Sequence, residues 1–286
     1  MNNKTVLITG STSGIGLAAA LKLSKMGANV ILHGRNHERC ESAMKYLRVR
    51  GAGSSLSYVT ADLSAMGNIR DLARQIMTNH GKLDVLINNA GAVFLLRRRS
   101  VDGIEMTFAT NHLASFLLTN LLLPLLHASP SGRIVNVASD AHYGNPLNFE
   151  DLELRRGYLP LKAYGRSKFA NVLFTYAMAR RLEGSTVTAN VLHPGFVATG
   201  MGSNNGALVK FFARLVMKLG ISPEEGAKTV VYLASSPEVE GVSGKFFYLQ
   251  KPVQSARRTY FIEDQDRLWA ISEKMTRVMV STGKIE

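Results

Sequence analysis

The 286-residue sequence has little cysteine and no long apolar run. Its single cysteine, Cys40, cannot form a disulfide within the chain, and a free thiol suits a reducing compartment. The longest apolar stretch, Phe116 to Leu126, is shorter than the roughly 18 residues that cross a bilayer, and it contains Asn120 and Pro124. The first residues lack the basic start and long apolar segment of a secretory signal. These absences predict a soluble protein of the cytoplasm.

Acidic side chains are also scarce, with 21 Asp and Glu against 34 Lys and Arg, which gives a net charge of +13. Such an excess favours anionic partners, which include a phosphorylated cofactor, a membrane surface and nucleic acid. The densest cluster, Arg97-Arg98-Arg99, has no interleaved aromatic residues and no nucleic-acid-binding module around it. The sequence therefore argues against nucleic acid, and a solvated basic surface accounts for the scattered charges.

Apolar segments of strand length alternate with longer helical patterns along the whole chain. Seven strands are predicted at Thr5 to Thr9, Asn29 to His33, Ser57 to Ala61, Val85 to Asn88, Arg133 to Ala138, Thr186 to Leu192 and Lys245 to Leu249. Helices are predicted near Ile15 to Met26, Glu38 to Arg50, Met66 to His80, Gly103 to His127, Lys162 to Glu183 and Pro223 to Ala234. Continuous Val, Ile and Leu runs are typical of strands whose two faces are both covered. The pattern predicts a single-domain α/β protein of the Rossmann type, with a doubly wound, seven-stranded parallel sheet between two layers of helices.

Three glycines, Gly10, Gly14 and Gly16, follow the first strand and open the first helix. Without Cβ atoms they permit a tight turn and the close approach of a pyrophosphate to backbone N–H groups. This position directly after a strand makes the loop a strong predictor of a dinucleotide site. The residues assigned to that site here are Gly10, Ser11, Ser13, Gly14, Ile15 and Gly16.

No acidic residue follows the second strand, where an NAD-specific protein places a carboxylate on the ribose 2′-hydroxyl. The sequence there is His33-Gly34-Arg35-Asn36. Arg35 offers a planar cation suited to a 2′-phosphate. Arg35 and Asn36 are therefore predicted to bind the cofactor, with NADP(H) preferred over NAD(H).

Tyr164 and Lys168 lie four residues apart in a predicted helix and therefore share one of its faces. The Lys168 ammonium can lie beside the Tyr164 phenol and lower its pKa from about 10 towards the working range of an acid-base catalyst. Either residue alone is common on a solvated helix. Their combination with the glycine loop predicts an enzyme that uses a nicotinamide cofactor.

Six short motifs follow one another along the chain in a fixed order. They are Thr9-Gly10-x-x-x-Gly14-x-Gly16, Asn88-Asn89-Ala90-Gly91, Asn111-His112-Leu113, Ser139, Tyr164-x-x-x-Lys168 and Pro194-Gly195. With these motifs the chain resembles the short-chain dehydrogenase/reductases, and within them the retinol dehydrogenase-like branch. The resemblance extends from about Lys4 to Gln250.

The resemblance implies a catalytic role for four residues. Tyr164 would be the general acid or base, and Ser139 would hydrogen-bond the same substrate oxygen. Lys168 would hold the nicotinamide ribose and lower the pKa of the tyrosine, while Asn111 would support a water that relays protons. Hydride transfer leaves negative charge on oxygen, so donors aimed at that atom would stabilise the transition state.

The resemblance also implies further cofactor contacts. Asp62 and Leu63 would flank the adenine, and Tyr164 and Lys168 would contact the cofactor as well. The loops after the fourth and sixth strands would line the ribose and receive the carboxamide through Asn89, Ala90, Gly91, Pro194, Gly195, Val197 and Thr199. No metal site is predicted, because the spacing of the histidines at 112, 142 and 193 fits no ligand set.

Two features depart from the family pattern. Ser139 and Tyr164 are 25 positions apart, which is longer than in many members, although the retinol dehydrogenase-like branch carries a similar insertion. The hydrophobic N-terminal anchor of membrane-bound relatives is absent, which argues against lipid-embedded retinoid substrates.

The segment from Gly206 to Gly220 is predicted to be an amphipathic helix with Lys210, Arg214 and Lys218 along one stripe. Three interpretations stay open. The helix could be a lid over an apolar substrate, an interfacial helix on anionic lipid, or a helix packed on its own core.

The combined interpretation is an NADP(H)-dependent oxidoreductase that acts on a carbonyl or alcohol substrate, namely an apolar aldehyde, ketone or alcohol. Residues 1–250 would form the dinucleotide-binding and catalytic domain, and residues 251–286 a C-terminal extension that is either part of that domain or a surface tail. The alternatives are a non-catalytic dinucleotide-binding sensor or scaffold and a basic protein that binds membrane surfaces. The resemblance further implies a homodimer or homotetramer formed through the helices that bear Asn111 and Tyr164.

Overall fold

The computed structural model describes residues 1–53, 55–195 and 220–278. Its strands are β1 (Thr5–Ile8), β2 (Asn29–Gly34), β3 (Leu56–Thr60), β4 (Val85–Asn88), β5 (Arg133–Val137), β6 (Thr188–Leu192), β7 (Phe246–Tyr248) and β8 (Lys251–Val253). They form one sheet in the order β3-β2-β1-β4-β5-β6-β7-β8. The order reverses between β1 and β4, and a sheet of this kind binds its ligand at the carboxyl ends of the strands around such a point.

The first seven strands are parallel, which confirms the predicted doubly wound sheet. The eighth strand corrects the predicted number of seven, and it pairs antiparallel with β7. Leu249 and Gln250 form the turn between them with φ values of 48° and 63°, in the left-handed region that tight hairpin turns require. All three residues of β8 are exposed and one is Pro252, so no apolar run marks this strand in the sequence.

Helices cover both faces of the sheet. The longer ones are α1 (Gly14–Lys25), α2 (His37–Val49), α3 (Met66–Asn79), α4 (Met106–His127), α5 (Pro160–Arg181), α6 (Pro223–Ser235) and α7 (Ile262–Thr276). Helix α4 begins at Met106 and not at the predicted Gly103. Its start is set by Glu105, whose carboxylate accepts hydrogen bonds of 2.8 Å from the backbone N–H groups of Thr107 and Phe108.

The central strands contribute to both apolar layers, because consecutive strand residues face opposite sides of the sheet. Val6 and Ile8 of β1 pack in the layer that α1, α2 and α6 cover. Leu7 packs in the opposite layer, which α3, α4, α5 and α7 cover. This arrangement explains why the strands are continuously apolar in the sequence.

Helix α4 lies deep in the second layer. It is long and apolar enough to cross a membrane by length and composition, and 72% of its apolar window is buried inside the molecule. A π-turn over Ala109–Leu113 interrupts it, and this turn contains Asn111. Such turns are frequent at functional sites, so the interruption marks the part of α4 nearest the predicted chemistry.

Helix α7 packs on α4 and α5, although the sequence pattern did not predict it. The indole ring of Trp269 lies 5.0 Å from the ring of Phe116 and 6.0 Å from that of Phe174, measured between centroids. The guanidinium carbon of Arg181 lies 4.0 Å from the centroid of the Trp269 ring. Residues of the C-terminal extension therefore share the core of the preceding chain.

Candidate active site

A cavity with a volume of about 610 Å³ opens at the carboxyl ends of the central strands. Most of the predicted site residues meet in its wall, although they are spread over almost 190 positions of the sequence. Those that line it are Gly10, Ser13, Gly14, Ile15, Arg35, Asp62, Leu63, Asn89, Ala90, Gly91, Ser139, Tyr164, Lys168, Pro194 and Gly195. Val197, Thr199 and the predicted helix at Lys210 to Leu219 lie outside the described residues.

Two glycines of the loop after β1 have conformations that favour glycine. Gly10 has a φ of 64°, and a Cβ atom there would lie 2.9 Å from Cα of Ala90. Gly14, at the start of α1, has a φ of 57°. Gly16 is turned away from the cavity, and a Cβ atom there would lie 2.6 Å from the carbonyl oxygen of Gly10. The first two glycines therefore shape the cradle, and Gly16 lets α1 pack closely behind it.

Ser11 holds the loop from behind and does not line the cavity. Its hydroxyl donates a hydrogen bond of 2.8 Å to the carbonyl of Ile8 and accepts one of 2.9 Å from the backbone N–H of His33. The side chain is fully buried. The structure thus gives Ser11 a supporting place next to the predicted contact surface.

His33 supports the same loop, and sequence reasoning assigned it no role. Its Nδ1 accepts a hydrogen bond of 3.1 Å from the backbone N–H of Gly10, and its Nε2 lies 3.2 Å from the carbonyl of Ala61. A carbonyl only accepts, so Nε2 carries the proton and the ring is neutral. Burial lowers the pKa of His33 to about 4. In the sequence, His33 directly precedes Gly34 and Arg35, and this position is the feature from which its role could have been predicted.

Buried histidines make the fold sensitive to acid, and we expect the melting temperature to fall by more than about 10 °C between pH 6.5 and pH 4. Burial lowers the pKa values of His33, His112 and His142 to about 4. An unfolded histidine titrates near pH 6.5, so between these values the unfolded chain binds more protons than the folded protein. The free energy of unfolding therefore decreases as the pH falls, and these histidines add no further loss below their folded pKa. Calorimetric melting across this range measures the effect.

Two substitutions separate this effect from general acid titration. His112→Asn removes one of the buried rings and should make the dependence of melting temperature on pH shallower. His127→Gln changes a histidine that is exposed at the end of α4 and should leave that dependence as in wild type. A melting temperature that stayed constant between pH 6.5 and pH 4 would contradict the prediction.

Two arginines line the part of the cavity next to β2, where sequence reasoning predicted only one. Arg35 follows the strand directly, and Arg39 lies in the first turn of α2. Asn36 does not line the cavity. Its side chain caps α2 by accepting a hydrogen bond of 3.1 Å from the backbone N–H of Arg39. Asn36 thus fixes where α2 begins and with it the position of the second cation.

Thr9 connects the glycine loop with the loop after β4. Its hydroxyl oxygen accepts hydrogen bonds of 2.9 Å and 3.0 Å from the backbone N–H groups of Asn89 and Ala90. The Asn89 amide in turn donates to the carbonyls of Thr9 and Gly10 at 2.9 Å and 3.1 Å. The two loops therefore form one rigid wall of the cavity.

Tyr164 lies in the cavity wall with 8% of its surface exposed. Burial raises the pKa of Tyr164 to about 12, and a hydrogen bond with Ser139 opposes this rise. The two residues meet although 25 positions separate them in the sequence. Gly165 helps to bring them together, because a Cβ atom there would lie 2.6 Å from the carbonyl oxygen of Ala141.

Lys168 lies deeper in the same wall. Its Nζ atom is 5.6 Å from the centroid of the Tyr164 ring and donates a hydrogen bond of 2.8 Å to the carbonyl of Val137. Burial lowers the pKa of Lys168 to about 8. We expected this lysine to lower the pKa of Tyr164, but the pKa of the phenol is raised, because loss of hydration outweighs the other influences on it.

Asn111 lies behind the wall of the cavity and is fully buried. Its Oδ1 accepts a hydrogen bond of 2.8 Å from the backbone N–H of Ala92, and its Nδ2 donates to Ala92 O and to Ser167 Oγ at 3.0 Å each. The amide therefore joins the loop after β4 to helix α5. A proton relay through a water at Asn111 stays a prediction.

The histidines considered as metal ligands have other contacts. His142 lies 2.7 Å from the carbonyl of Ser139 through Nδ1 and accepts a hydrogen bond from the backbone N–H of Ala256 through Nε2. His193 stacks on Tyr248 with 4.1 Å between ring centroids. In the part of the chain that the structure describes, no three His, Cys, Asp or Glu side chains are grouped to hold a metal ion.

A family model described as short chain dehydrogenase matches residues 4–208. The chain belongs to this family and is an oxidoreductase of it. Within the family it is retinol dehydrogenase-like, as the motifs predicted.

Two curated relatives match almost the whole chain. Retinol dehydrogenase 14 of Homo sapiens is 43% identical, and the match covers 98% of this chain and 88% of that protein. Polyprenol dehydrogenase of Homo sapiens is 38% identical over 97% of this chain and 86% of that protein.

Solved structures show the same architecture. A protein from Mycobacterium Paratuberculosis has a TM-score of 0.79 and 34% identity, with 98% of this chain and 95% of that one covered. The Pseudomonas aeruginosa RhlG/NADP active-site complex has a TM-score of 0.69 and 27% identity, with 87% and 95% covered.

Proposed function

We propose that the protein is an NADP(H)-dependent oxidoreductase that transfers hydride between the nicotinamide and a carbonyl or alcohol substrate, namely an apolar aldehyde, ketone or alcohol. One observation carries the proposal. The Tyr164 phenol, Ser139 and Lys168 line the same cavity as the glycine loop and the two arginines.

The residues of the cavity fit a phosphorylated dinucleotide. Ser13, the residue before α1, makes no side-chain cap to that helix, so its first N–H groups stay available to a pyrophosphate. A Cβ atom at Gly10 would lie 2.9 Å from Cα of Ala90, so only glycine lets the two loops of this cradle approach so closely. Arg35 and Arg39 would receive a 2′-phosphate at the other end.

The protein's own groups provide the proton chemistry. When bound, the reduced cofactor supplies hydride to the substrate carbon. Tyr164 donates its phenolic proton to the carbonyl oxygen, and Ser139 orients that oxygen through its hydroxyl. Lys168 places a cation beside the phenolate that remains, which favours the proton transfer. In alcohol oxidation the same phenolic oxygen takes the proton back.

Apolar side chains line the substrate side of the cavity. Val93, Phe94 and Met106 contribute to the wall, and Leu161 stands at its rim with 77% of its surface exposed. Two of the relatives are named for retinol and polyprenol, which are both apolar alcohols. These features support an apolar substrate. A screen of NADPH consumption over aldehydes and ketones of graded size tests the proposal, and absence of turnover with every compound would contradict it.

Cofactor preference provides a sharper test. Arg35→Ala is expected to weaken NADPH binding by about 10- to 100-fold, because charge-assisted hydrogen bonds to a phosphate contribute about 1.5–3 kcal/mol. NADH has no 2′-phosphate, so its affinity should change by less than about twofold. Titration of both nucleotides by fluorescence measures the two dissociation constants.

Two further variants complete this comparison. Arg39→Ala should weaken NADPH in the same sense as Arg35→Ala, since both side chains line the same end of the cavity. Arg48→Ala removes an exposed arginine from the last turn of α2 and controls for loss of positive charge on that helix. Equal losses of NADPH and NADH affinity in Arg35→Ala would contradict the assignment.

We also propose that the protein self-associates, and the fold limits the surfaces through which its copies can contact one another. The expected contact was the face of the helices that bear Asn111 and Tyr164, and α7 packs on these helices through Trp269. A homodimer or homotetramer therefore has to include α7 in its contact or use another surface.

A further inference from the structure

We propose that the C-terminal helix α7 is a positioning element of the active site, which acts through Ser272, His112 and Asn171 on the π-turn at Asn111. The inference rests on the proposed function, because it assigns these residues a part in the same site. Ser272 follows the catalytic Tyr164 by more than 100 positions and lies in a segment beyond the residues that the family model matches.

The first link is the amide of Asn171, whose orientation the structure fixes. Its Nδ2 donates a hydrogen bond of 2.9 Å to the backbone carbonyl of Asn111. A carbonyl oxygen only accepts, so the atom that faces it has to be nitrogen. The Oδ1 atom of Asn171 consequently faces Nδ1 of His112, 3.3 Å away.

The second link is the imidazole of His112, whose tautomer follows from this orientation. Oδ1 of Asn171 only accepts, so Nδ1 of His112 carries the proton and Nε2 is a bare acceptor. Nε2 lies 3.0 Å from Oγ of Ser272, whose one hydroxyl proton is shared between this nitrogen and the carbonyl of Leu268, 2.8 Å from the same oxygen. The His112 ring and the Ser272 side chain are both fully buried. If the Ser272 hydroxyl were removed, the buried Nε2 atom of His112 would lose its hydrogen-bond donor.

The third link leads from Asn111 to the cavity wall. The side-chain amide of Asn111 holds both backbone groups of Ala92, the residue after Gly91. A Cβ atom at Gly91 would lie 3.3 Å from Nζ of Lys168, so this loop is in close contact with the catalytic lysine. A shift of the π-turn would therefore move the loop that faces Lys168.

The contacts of α7 show that Ser272 is distinct from ordinary packing residues of that helix. Trp269 and Leu268 fill the apolar layer. The hydroxyl of Thr276 is buried as well, but it donates only within its own helix, at 2.7 Å to the carbonyl of Ser272. Among these four residues, Ser272 alone is hydrogen-bonded to the chain of polar groups that ends at Asn111.

The test compares Ser272→Ala with wild type in the full chain. We expect kcat to fall about tenfold with KM for the carbonyl substrate within about twofold, because a displaced catalytic group impairs the reaction more than binding. We also expect the backbone amide of Ala92 and the amides of residues 109–115 to exchange hydrogen about tenfold faster. Exchange is measured on the protein alone and needs no turnover.

Two variants make the test specific. Thr276→Val removes a buried hydroxyl from the next turn of α7 and should leave both kcat and the exchange at Ala92 within about twofold of wild type, whatever its effect on melting temperature. Ser272→Thr keeps the hydroxyl and should recover most of the lost kcat. Equal kcat and equal exchange in Ser272→Ala and Thr276→Val would overturn the proposal.

Failure of the proposed function gives a different result. Suppose that the wild type turns over no carbonyl and that Ser272→Ala exchanges hydrogen faster at Ala92. The proposed enzymatic function would then be wrong, while the structural coupling between Ser272 and Ala92 would be supported. Suppose instead that the wild type turns over normally and that Ser272→Ala changes neither the exchange nor kcat. The positioning role of Ser272 would then be wrong, while the proposed enzymatic function would stand.

Discussion

Replacing Tyr164 with phenylalanine is expected to lower the kcat of carbonyl reduction about 1,000-fold, the middle of the range for a positioned general acid. The phenolic proton is the one that the substrate oxygen takes up in the proposed reaction. Because burial raises the pKa of Tyr164 to about 12, the phenol is protonated across the neutral range and suits this donation. Stopped-flow measurement of NADPH oxidation at saturating substrate determines the loss.

The substitution should leave the cofactor site intact. Phenylalanine fills the same volume, and the NADPH dissociation constant should stay within about twofold of wild type. Tyr176→Phe is the matched control, since it removes a buried hydroxyl from the same helix, one that is hydrogen-bonded to Ser255. That control should retain kcat. Full turnover in Tyr164→Phe would assign the proton donor to another group.

The pH dependence of reduction gives a second readout of the same assignment. With a folded pKa of about 12, the phenol loses its proton only in strongly alkaline solution. Ionisation of Tyr164 therefore should not reduce the rate between pH 6 and pH 9. A fall in kcat with a midpoint near pH 7 that vanishes in Tyr164→Phe would contradict the raised pKa.

Residues of the site that depend on local geometry could be predicted from the sequence. Gly10 and Gly14 follow a strand and open a helix, and Tyr164 and Lys168 share a helix face, so spacing alone places each pair. The parallel sheet then brings both pairs to one edge, because the carboxyl ends of its strands lie together. The prediction of an oxidoreductase of the short-chain dehydrogenase family followed from this convergence and from the order of the motifs.

Residues whose role depends on distant partners could not be predicted in this way. His33 supports the glycine loop through a hydrogen bond to Gly10 that no spacing rule describes. Arg39 lines the cavity from the first turn of α2, and Asn36 caps the start of that helix. A helical pattern such as that of α7 does not reveal on which face of the protein it packs. Side-chain contacts between remote segments decide these three cases.

The direction of the pKa shift at Tyr164 shows the same limit. The four-residue spacing places a cation near the phenol, but it does not report how much water the phenol loses. Burial penalises the charged form of both partners, raising the pKa of Tyr164 and lowering that of Lys168. Lys168 therefore carries a cost in stability that its buried position imposes.

Lys168→Met is expected to lower kcat by about 100-fold or more and to raise the melting temperature at pH 7 by about 2–6 °C. The kcat should fall because the variant has no cation beside the phenolate that forms when Tyr164 gives up its proton. The stability should rise because Lys168 is only 3% exposed and forms no salt bridge within the described residues. Methionine fills a similar volume without a charge.

The sign and the pH window of the stability effect follow from the lowered pKa. An unfolded lysine titrates near pH 10.4, whereas burial lowers the pKa of Lys168 to about 8 in the folded protein. Below pH 8 both states are charged and the folded protein bears the full penalty, on the order of 3 kcal/mol. Lys168→Met removes this penalty but also loses the hydrogen bond to the carbonyl of Val137, which offsets about 1–2 kcal/mol of the gain. Between pH 8 and pH 10.4 the unfolded chain binds more protons, so the penalty is released as the pH rises.

Calorimetric melting of wild type and Lys168→Met at pH 7 and at pH 10 therefore tests this stability effect, which a measurement of activity would not detect. The advantage of Lys168→Met should be present at pH 7 and largely lost at pH 10. Lys162→Met, at an exposed position in the first turn of the same helix, should show neither the gain in stability nor its dependence on pH. A variant less stable than wild type at pH 7 would mean that the folded protein stabilises the Lys168 ammonium. In that case catalysis and stability would favour the same residue.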